Sequence, residues 1–285
     1  MAYITASLSG GLGNQMFQLA ASYSLAKDLG ALFRISLKSF KGCGQGFASE
    51  KYLDTVYKNL YFENQDIPYS EEYDLKTWHY TPIKDILQEI LKKTNSLKIN
   101  GAFQSLKYFE KREDEIRELF TPTGGWPNWL NKRAISKNYP ELFTDKPDIC
   151  FIGVRRGDYL KNPSIHNPCS LKYYQDAILE NPASTYYIAS DDIHWCKENF
   201  IGPQFRFFDI DLQNDVEQLA FMTLFKKFII ANSSFYWWGT FLTPFKIKTV
   251  VPNEWISNPY IKNWTCSFVY RDDFTIVNRT INSSS

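Results

Sequence analysis

The chain has 285 residues, enough for one large or two medium domains, and its 44% hydrophobic and 22% charged content is that of a soluble globular protein, not a disordered one. Basic and acidic side chains nearly cancel, 32 against 31, and no segment carries the basic excess of a nucleic-acid binder. In chain order, "AYITASL" reads as a strand, "SGGLGNQ" as a tight glycine turn, "MFQLAASYSLAKDLG" as a helix closed by Gly30, and "LFRISL" as a second strand. The strand "SLKINGAF" lies between the helical stretches "TPIKDILQEILKK" and "KYFEKREDEIRELF". Prolines and polar residues in "YPELFTDKPD" mark a boundary near residues 140–148.

The second half alternates more regularly. "DICFIGV", "STYYIAS", "FRFFDI", "KKFIIAN" and "KTVVPNEW" are strands. Between them stand "SLKYYQDAILEN", with Ser170 as N-cap, then "DDIHWCKENF", "NDVEQLAFMTLF" and "SSFYWWGTFL". In the third of these helices Val216, Leu219, Ala220 and Thr223 share one face. Such alternation predicts a parallel, doubly wound α/β unit, and the opening of the chain repeats the pattern. The expected architecture is two Rossmann-like domains, residues 1–145 and 146–285.

Five scattered cysteines without a Cys-x-x-Cys pair argue against a disulfide or metal framework and for a reducing compartment. The N-terminus lacks a secretion signal, and no apolar run approaches the ~18–20 residues of a membrane span, so a cytoplasmic location is expected. Aromatic residues reach 17%, which suits sugar binding, although core packing uses the same side chains.

Several stretches can carry chemistry. "GGLGNQMF" (Gly10–Phe17) joins a strand to a helix, where main-chain N–H groups favour an anion. It lacks the third glycine of a dinucleotide fingerprint, and a turn that only needs glycine torsions is the alternative. "RRGDY" (Arg155–Tyr159) leaves the carboxyl end of a strand, where two planar guanidinium forks can grip different oxygens of a diphosphate. An internal ion pair with Asp158 or another carboxylate explains one arginine more readily than both. In "ASDD" (Ala189–Asp192), Ser190 and Asp191 suit a helix N-cap, and a side chain there can also face a nucleotide. Ser233 and Ser234 in "ANSSFYWWG" can cap a helix, bind phosphate, or both, whereas Trp237 and Trp238 read as core. "FDID" offers Asp209 and Asp211 as a metal-holding pair, but one short acidic pair is weak evidence, and paired arginines already supply the positive charge. His79, His166 and His194 have no ligand spacing.

Five collinear segments resemble one family: "GGLGNQMFQLAASYSLAK", "INGAFQSLKYF", "GVRRGDYL", "YYIASDDIHWC" and "NDVEQLAFMTLFKKFIIANSSFYWWGTFL". They are similar to the inverting alpha-1,2-fucosyltransferases of glycosyltransferase family eleven, which use GDP-fucose. The resemblance implies a GT-B-like fold, no required metal or other cofactor, and an active site between two domains. It makes Arg155 and Arg156 the phosphate clamp, Ser233 and Ser234 phosphate or ribose contacts, and Asp191 a guanosine-side contact. Gly13 and Asn14 would approach the donor from the N-terminal, acceptor-side domain. The partners implied are GDP-fucose and a galactose-terminated oligosaccharide, lipid-linked in O-antigen or capsule (lipopolysaccharide) assembly at the inner membrane. Asp158 and His166 lie nearest the arginines as candidate bases. The family histidine two residues before the first arginine is Gly153 here. Two other readings stay open. One is a metal-dependent GT-A-type transferase using Asp209 and Asp211, the other a non-catalytic glycan- or nucleotide-binding protein.

Overall fold

The structure, a computed structural model, describes residues 1–39, 49–122, 124–126, 140–143, 148–161, 166–208, 215–256 and 268–279. It divides into two compact units, Met1–Thr123 and Gly124–Ser285. Residues 144–147, within the expected boundary, lie outside the described residues, as do Asp209 and Asp211.

The first unit is built on a parallel four-stranded sheet. Its strands are β1 (Tyr3–Ala6), β2 (Leu32–Phe33), β5 (Glu71–Asp74) and β6 (Ser96–Asn100), in the order β2-β1-β6-β5. "LFRISL" is not one strand. Ile35–Ser36 forms a separate β3 that pairs with β4 (Phe62–Glu63), and the break falls at Arg34. That guanidinium lies 4.7 Å over the Tyr3 ring and makes a bidentate pair with Glu63 at 2.6 and 2.7 Å, so a charged side chain turns the chain out of the first sheet. Helix α1 (Leu12–Asp28) is buried on nearly every side, because Ala20, Ala21 and Ala26 let it sit close to the sheet beside Met16, Phe17 and Leu19. Its buried Gln15 is satisfied by Tyr57 Oη, which donates to Oε1 at 2.9 Å, and by the Gly10 carbonyl, which accepts from Nε2 at 2.8 Å. Helix α2 (Lys84–Thr94) buries Leu87 and Leu91. Of the expected helix 107–120, only α3 (Glu113–Phe120) is α-helical, and 3-10 turns replace its beginning.

The second unit carries a six-stranded parallel sheet. Its strands are β7 (Ile149–Val154), β8 (Thr185–Ser190), β9 (Phe205–Phe207), β10 (Lys227–Ile230), β11 (Lys248–Pro252) and β12 (Thr275–Val277), in the order β9-β8-β7-β10-β11-β12. The described helices of this unit are α4 (Leu171–Glu180), α5 (Ile193–Asn199), α6 (Asp215–Met222) and α7 (Ser234–Leu242). Ser170 caps α4 as expected, accepting from Tyr173 N at 3.3 Å. The expected apolar face of α6 is buried through Val216, Leu219, Ala220 and Thr223. Side-chain alternation along β7 splits the core: Cys150, Ile152 and Val154 pack with Tyr173, Tyr174 and Ala177 of α4, whereas Phe151 faces Phe221, Phe225, Phe228 and Tyr236. From β7 the chain passes through α4 to β8, and from β10 through α7 to β11, on the other side. β7 and β10 are neighbours, so their carboxyl ends form the topological switch point at which open α/β sheets bind ligands.

No described helix is long and apolar enough to cross a membrane.

Candidate functional site

The stretch that leaves β7 turns tightly, with Leu160 N donating to Arg156 O at 2.8 Å and Lys161 N to Asp158 O at 3.1 Å. Asp191, at the end of β8, holds that turn in place: Oδ1 accepts from Arg156 N at 2.9 Å, and Oδ2 lies 3.2 Å from Arg155 Nη1. Gly157 permits this approach, since a Cβ there would lie 2.7 Å from Asp191 Oδ2. The N-cap of α5 is Asp192, not Ser190 or Asp191. Its Oδ1 accepts from Trp195 N at 3.2 Å, while Ser190 Oγ accepts from Asp192 N at 2.9 Å.

Both arginines have protein carboxylates as partners. Arg155 Nη2 is 2.6 Å from Asp158 Oδ1, and Arg156 Nε donates to Asp192 Oδ2 at 3.1 Å. Burial works against the charge on Arg155, but Asp191 and then Asp158 outweigh it and raise its pKa. The Arg156 guanidinium also lies 3.9 Å over the Trp195 ring, which fixes its plane. These pairs leave donors to spare. Among the described residues, Nε of Arg155 and both terminal nitrogens of Arg156 have no hydrogen-bond acceptor. Asp158 is the counterpart: both oxygens are shut off from solvent without a hydrogen bond among the described residues, and the Arg155 contact is one of charge alone.

The β10 side closes the site. Asn232, just past the strand, accepts at its carbonyl from Tyr159 Oη at 2.7 Å, and its Nδ2 donates to Trp255 O at 2.9 Å and to His166 O at 3.5 Å. His166 stacks on Tyr159 at 4.7 Å, and Arg155 lies 5.5 Å from the centre of that same ring. Burial pushes the His166 pKa down, Asp158 raises it, and Arg155 pushes it down further. Ser233 occupies the N-cap of α7 without making a side-chain cap bond, and Ser234 opens the helix, so first-turn N–H groups face the same strand ends.

Thus Arg155, Arg156, Asp158, His166, Asp191, Ser233 and Ser234, all named from sequence, gather at the ends of β8, β7 and β10. Asp192, Trp195 and Tyr236 were not singled out. Tyr236 stands over Gly153 with its hydroxyl donating to Val154 O and Ala189 O, each at 3.1 Å. Gly13 and Asn14 belong to the first unit. The glycine turn gives way to helix at Leu12, so Gly13 is buried inside α1, and Asn14 Oδ1 accepts from Gln104 Nε2 at 2.8 Å. Gly10 takes φ +74° directly against the Asn14 side chain, where a Cβ would lie 2.5 Å from Nδ2.

Residues 2–276 match the family described as Glycosyl transferase family 11. The chain is 26% identical over 288 residues to an alpha-1,2-colitosyltransferase of Escherichia coli, covering 93% of this chain and 96% of that protein. It is 27% identical over 287 residues to the O-antigen biosynthesis glycosyltransferase WbnK of Escherichia coli, covering 88% and 94%. Among solved structures, fucosyltransferase NodZ from Bradyrhizobium superposes with a TM-score of 0.51 at 14% identity, over 85% of this chain and 93% of that one. NodZ alpha-1,6-fucosyltransferase soaked with GDP-fucose gives a TM-score of 0.50 at 14% identity over the same shares. At that identity the likeness is one of fold, the α/β GT-B-like class expected from sequence. With a family match running almost end to end, the chain is a glycosyltransferase and belongs to glycosyl transferase family 11.

Proposed function

We propose that this chain transfers L-fucose from GDP-fucose to O2 of a terminal galactose, with inversion, during O-antigen or capsule assembly. The observation that carries the reading is the Arg155–Arg156 turn at the switch point, ordered by Asp191 and retaining free N–H donors. In the reaction the acceptor O2 forms a bond to C1 while the C1–O bond to the β-phosphate breaks. The electron pair leaves with GDP, and the hydroxyl proton passes to a base. Negative charge grows on the departing oxygen, and guanidinium groups fixed beside it stabilise that charge more than the ground state. Ser233, Ser234 and the first turn of α7 would take the remaining phosphate oxygens, and Asp191 would act by holding the turn. In this reading the guanidinium pair supplies the positive charge that a cation would otherwise bring.

The test is an assay of the purified chain with GDP-fucose and galactosides, with and without chelator, reading GDP release and product linkage. Transfer to O2 that persists in chelator is the expected result. Activity lost in chelator and restored by manganese would instead support a site built on Asp209 and Asp211. GDP binding by calorimetry with no GDP release from any galactoside would support a silent binding protein.

His166 is the proton acceptor in this scheme. Its lowered pKa keeps the imidazole neutral to below the usual value of about 6.5, so activity should fall only as pH drops past that point. His166→Gln should lower kcat by about two to four orders of magnitude and erase that acid limb. A limb that persists in His166→Gln and vanishes in Asp158→Asn would move the role to Asp158.

A further inference from the structure

In the first unit, the loops that follow β1, β5 and β6 and the early turns of α1 enclose a cavity of about 310 Å³. That is the small end of the ~300–1,000 Å³ usual for small-molecule sites. It lies outside the carboxyl ends of parallel strands, where open α/β sheets bind ligands, yet none of the residues in the arginine cluster lines it.

Its wall is built from neutral polar groups. Gln18 is locked to Ser9 through both ends of its amide, with Oε1 accepting from Ser9 N at 2.9 Å and Nε2 donating to Ser9 Oγ at 3.1 Å. The Asn14–Gln104 amide pair stands beside it. Asn100 Nδ2 donates to Asp74 Oδ1 at 2.7 Å and to Glu72, which leaves its buried Oδ1 without a partner among the described residues. Lys76 is the one ionisable side chain among the described residues of the lining, and its ammonium already lies 3.3 Å from Asp74. At the rim Trp78 leaves 42% of its surface exposed. Beneath, Phe103 sits at φ +50° between lining residues Ala102 and Gln104, a left-handed conformation that aromatic residues rarely hold. It is kept there by burial and by its edge-on packing on Tyr108 at 5.3 Å. Strain of this kind collects at ligand sites.

We infer that this pocket holds one uncharged pyranose of the acceptor, a ring face against Trp78 and hydroxyls among the amides. A neutral polyol both donates and accepts, as Asn14, Asn100 and Gln104 do. An anion would instead meet the carboxylates of Asp74 and Glu72 behind Asn100, which already engage the two neighbouring ammonium groups, Lys76 and Lys98. The pocket's role as acceptor seat rests on the transferase reading above, whereas its capacity to hold a sugar does not.

Saturation-transfer NMR on the unliganded full chain tests this, using the methyl pyranosides of galactose, glucose and glucuronic acid, with GDP calorimetry in parallel. At least one neutral glycoside should bind and the glucuronide should not. Trp78→Ala should weaken that binding about tenfold or more, leave the GDP Kd unchanged, and raise the acceptor KM without moving the donor KM. Trp78→Tyr should retain most of the affinity. No neutral glycoside binding, binding indifferent to Trp78→Ala, or GDP affinity that falls with it would each overturn the pocket. Glycoside binding that depends on Trp78, with no GDP release from GDP-fucose by the wild type, supports the pocket and overturns the transferase reading.

Discussion

Arg155→Ala is expected to lower kcat/KM for GDP-fucose by about two to three orders of magnitude, the loss typical of removing one charge-assisted contact to a developing oxyanion, ~2–4 kcal/mol. The variant also leaves Asp158 and Asp191 without their shared counter-charge, and two carboxylates at adjacent strand ends repel both each other and an incoming diphosphate. Stability and catalysis therefore have to be separated. Arg155→Ala combined with Asp158→Asn removes one stranded charge and should recover thermal stability without recovering transfer. Arg156→Lys gives a second view: the charge stays, but a tetrahedral ammonium cannot lie flat on Trp195 at 3.9 Å or present two parallel donors. Turnover like the wild type in both Arg155→Ala and Arg156→Ala would remove the diphosphate clamp from the mechanism.

Gly153→Ala is expected to destabilise the second unit by about 1–3 kcal/mol, because the added Cβ would lie 2.7–2.8 Å from three atoms of the Tyr236 ring. Nothing there yields cheaply. The ring is buried, lies 5.9 Å from Phe151, and is tethered by its hydroxyl to the last carbonyls of β7 and to β8. Moving it would break bonds that align Val154 with Ala189, one residue before Arg155 and two before Asp191, so donor kcat/KM should fall together with a Tm several degrees lower. The same crowding leaves no room for a histidine side chain at position 153 while Tyr236 keeps this place. Combining Gly153→Ala with Tyr236→Ala should give a smaller loss than the two single variants added together, a coupling that a double-mutant cycle reads directly. An unchanged Tm in Gly153→Ala would show that the ring moves aside freely.

Legibility in the sequence followed burial. β7, β8, β10 and β11 are covered by apolar runs such as "CFIGV" and "FII" that only an interior strand tolerates, and their order along the chain suffices for a parallel sheet. β5 escaped notice because "EEYD" at a sheet edge is mostly charged, and β12, three residues at the opposite edge of the other sheet, has no periodicity long enough to register. "LFRISL" misled because its pattern suits one strand, whereas the long-range pair Arg34–Glu63 divides it. The arginines were legible from their abrupt charge after an apolar strand. A pair with Asp158 was legible too and is made by Arg155, but the partners Asp191 and Asp192 were not, because they lie more than thirty positions away and reach the arginines only through the β7–β8 register, Val154 opposite Ser190. The sugar-sized cavity was hidden for a similar reason: its amides come from α1 and from the end of β6 and the turn after it, Asn14 and Gln104 lying 90 positions apart, and only the fold brings them together.

The carboxylates around the two guanidinium groups also bear on how fast the enzyme empties. On the proposed reading, a diphosphate would take the spare nitrogens while Asp158, Asp191 and Asp192 stay close to the same guanidinium groups, so its net gain would be smaller than a bare pair of cations would give. After transfer, GDP would leave behind guanidinium groups that already have Asp158 and Asp192 as partners, so no buried charge would be stranded. A site of this kind would grip the leaving group during bond cleavage without becoming a trap for spent nucleotide between turnovers.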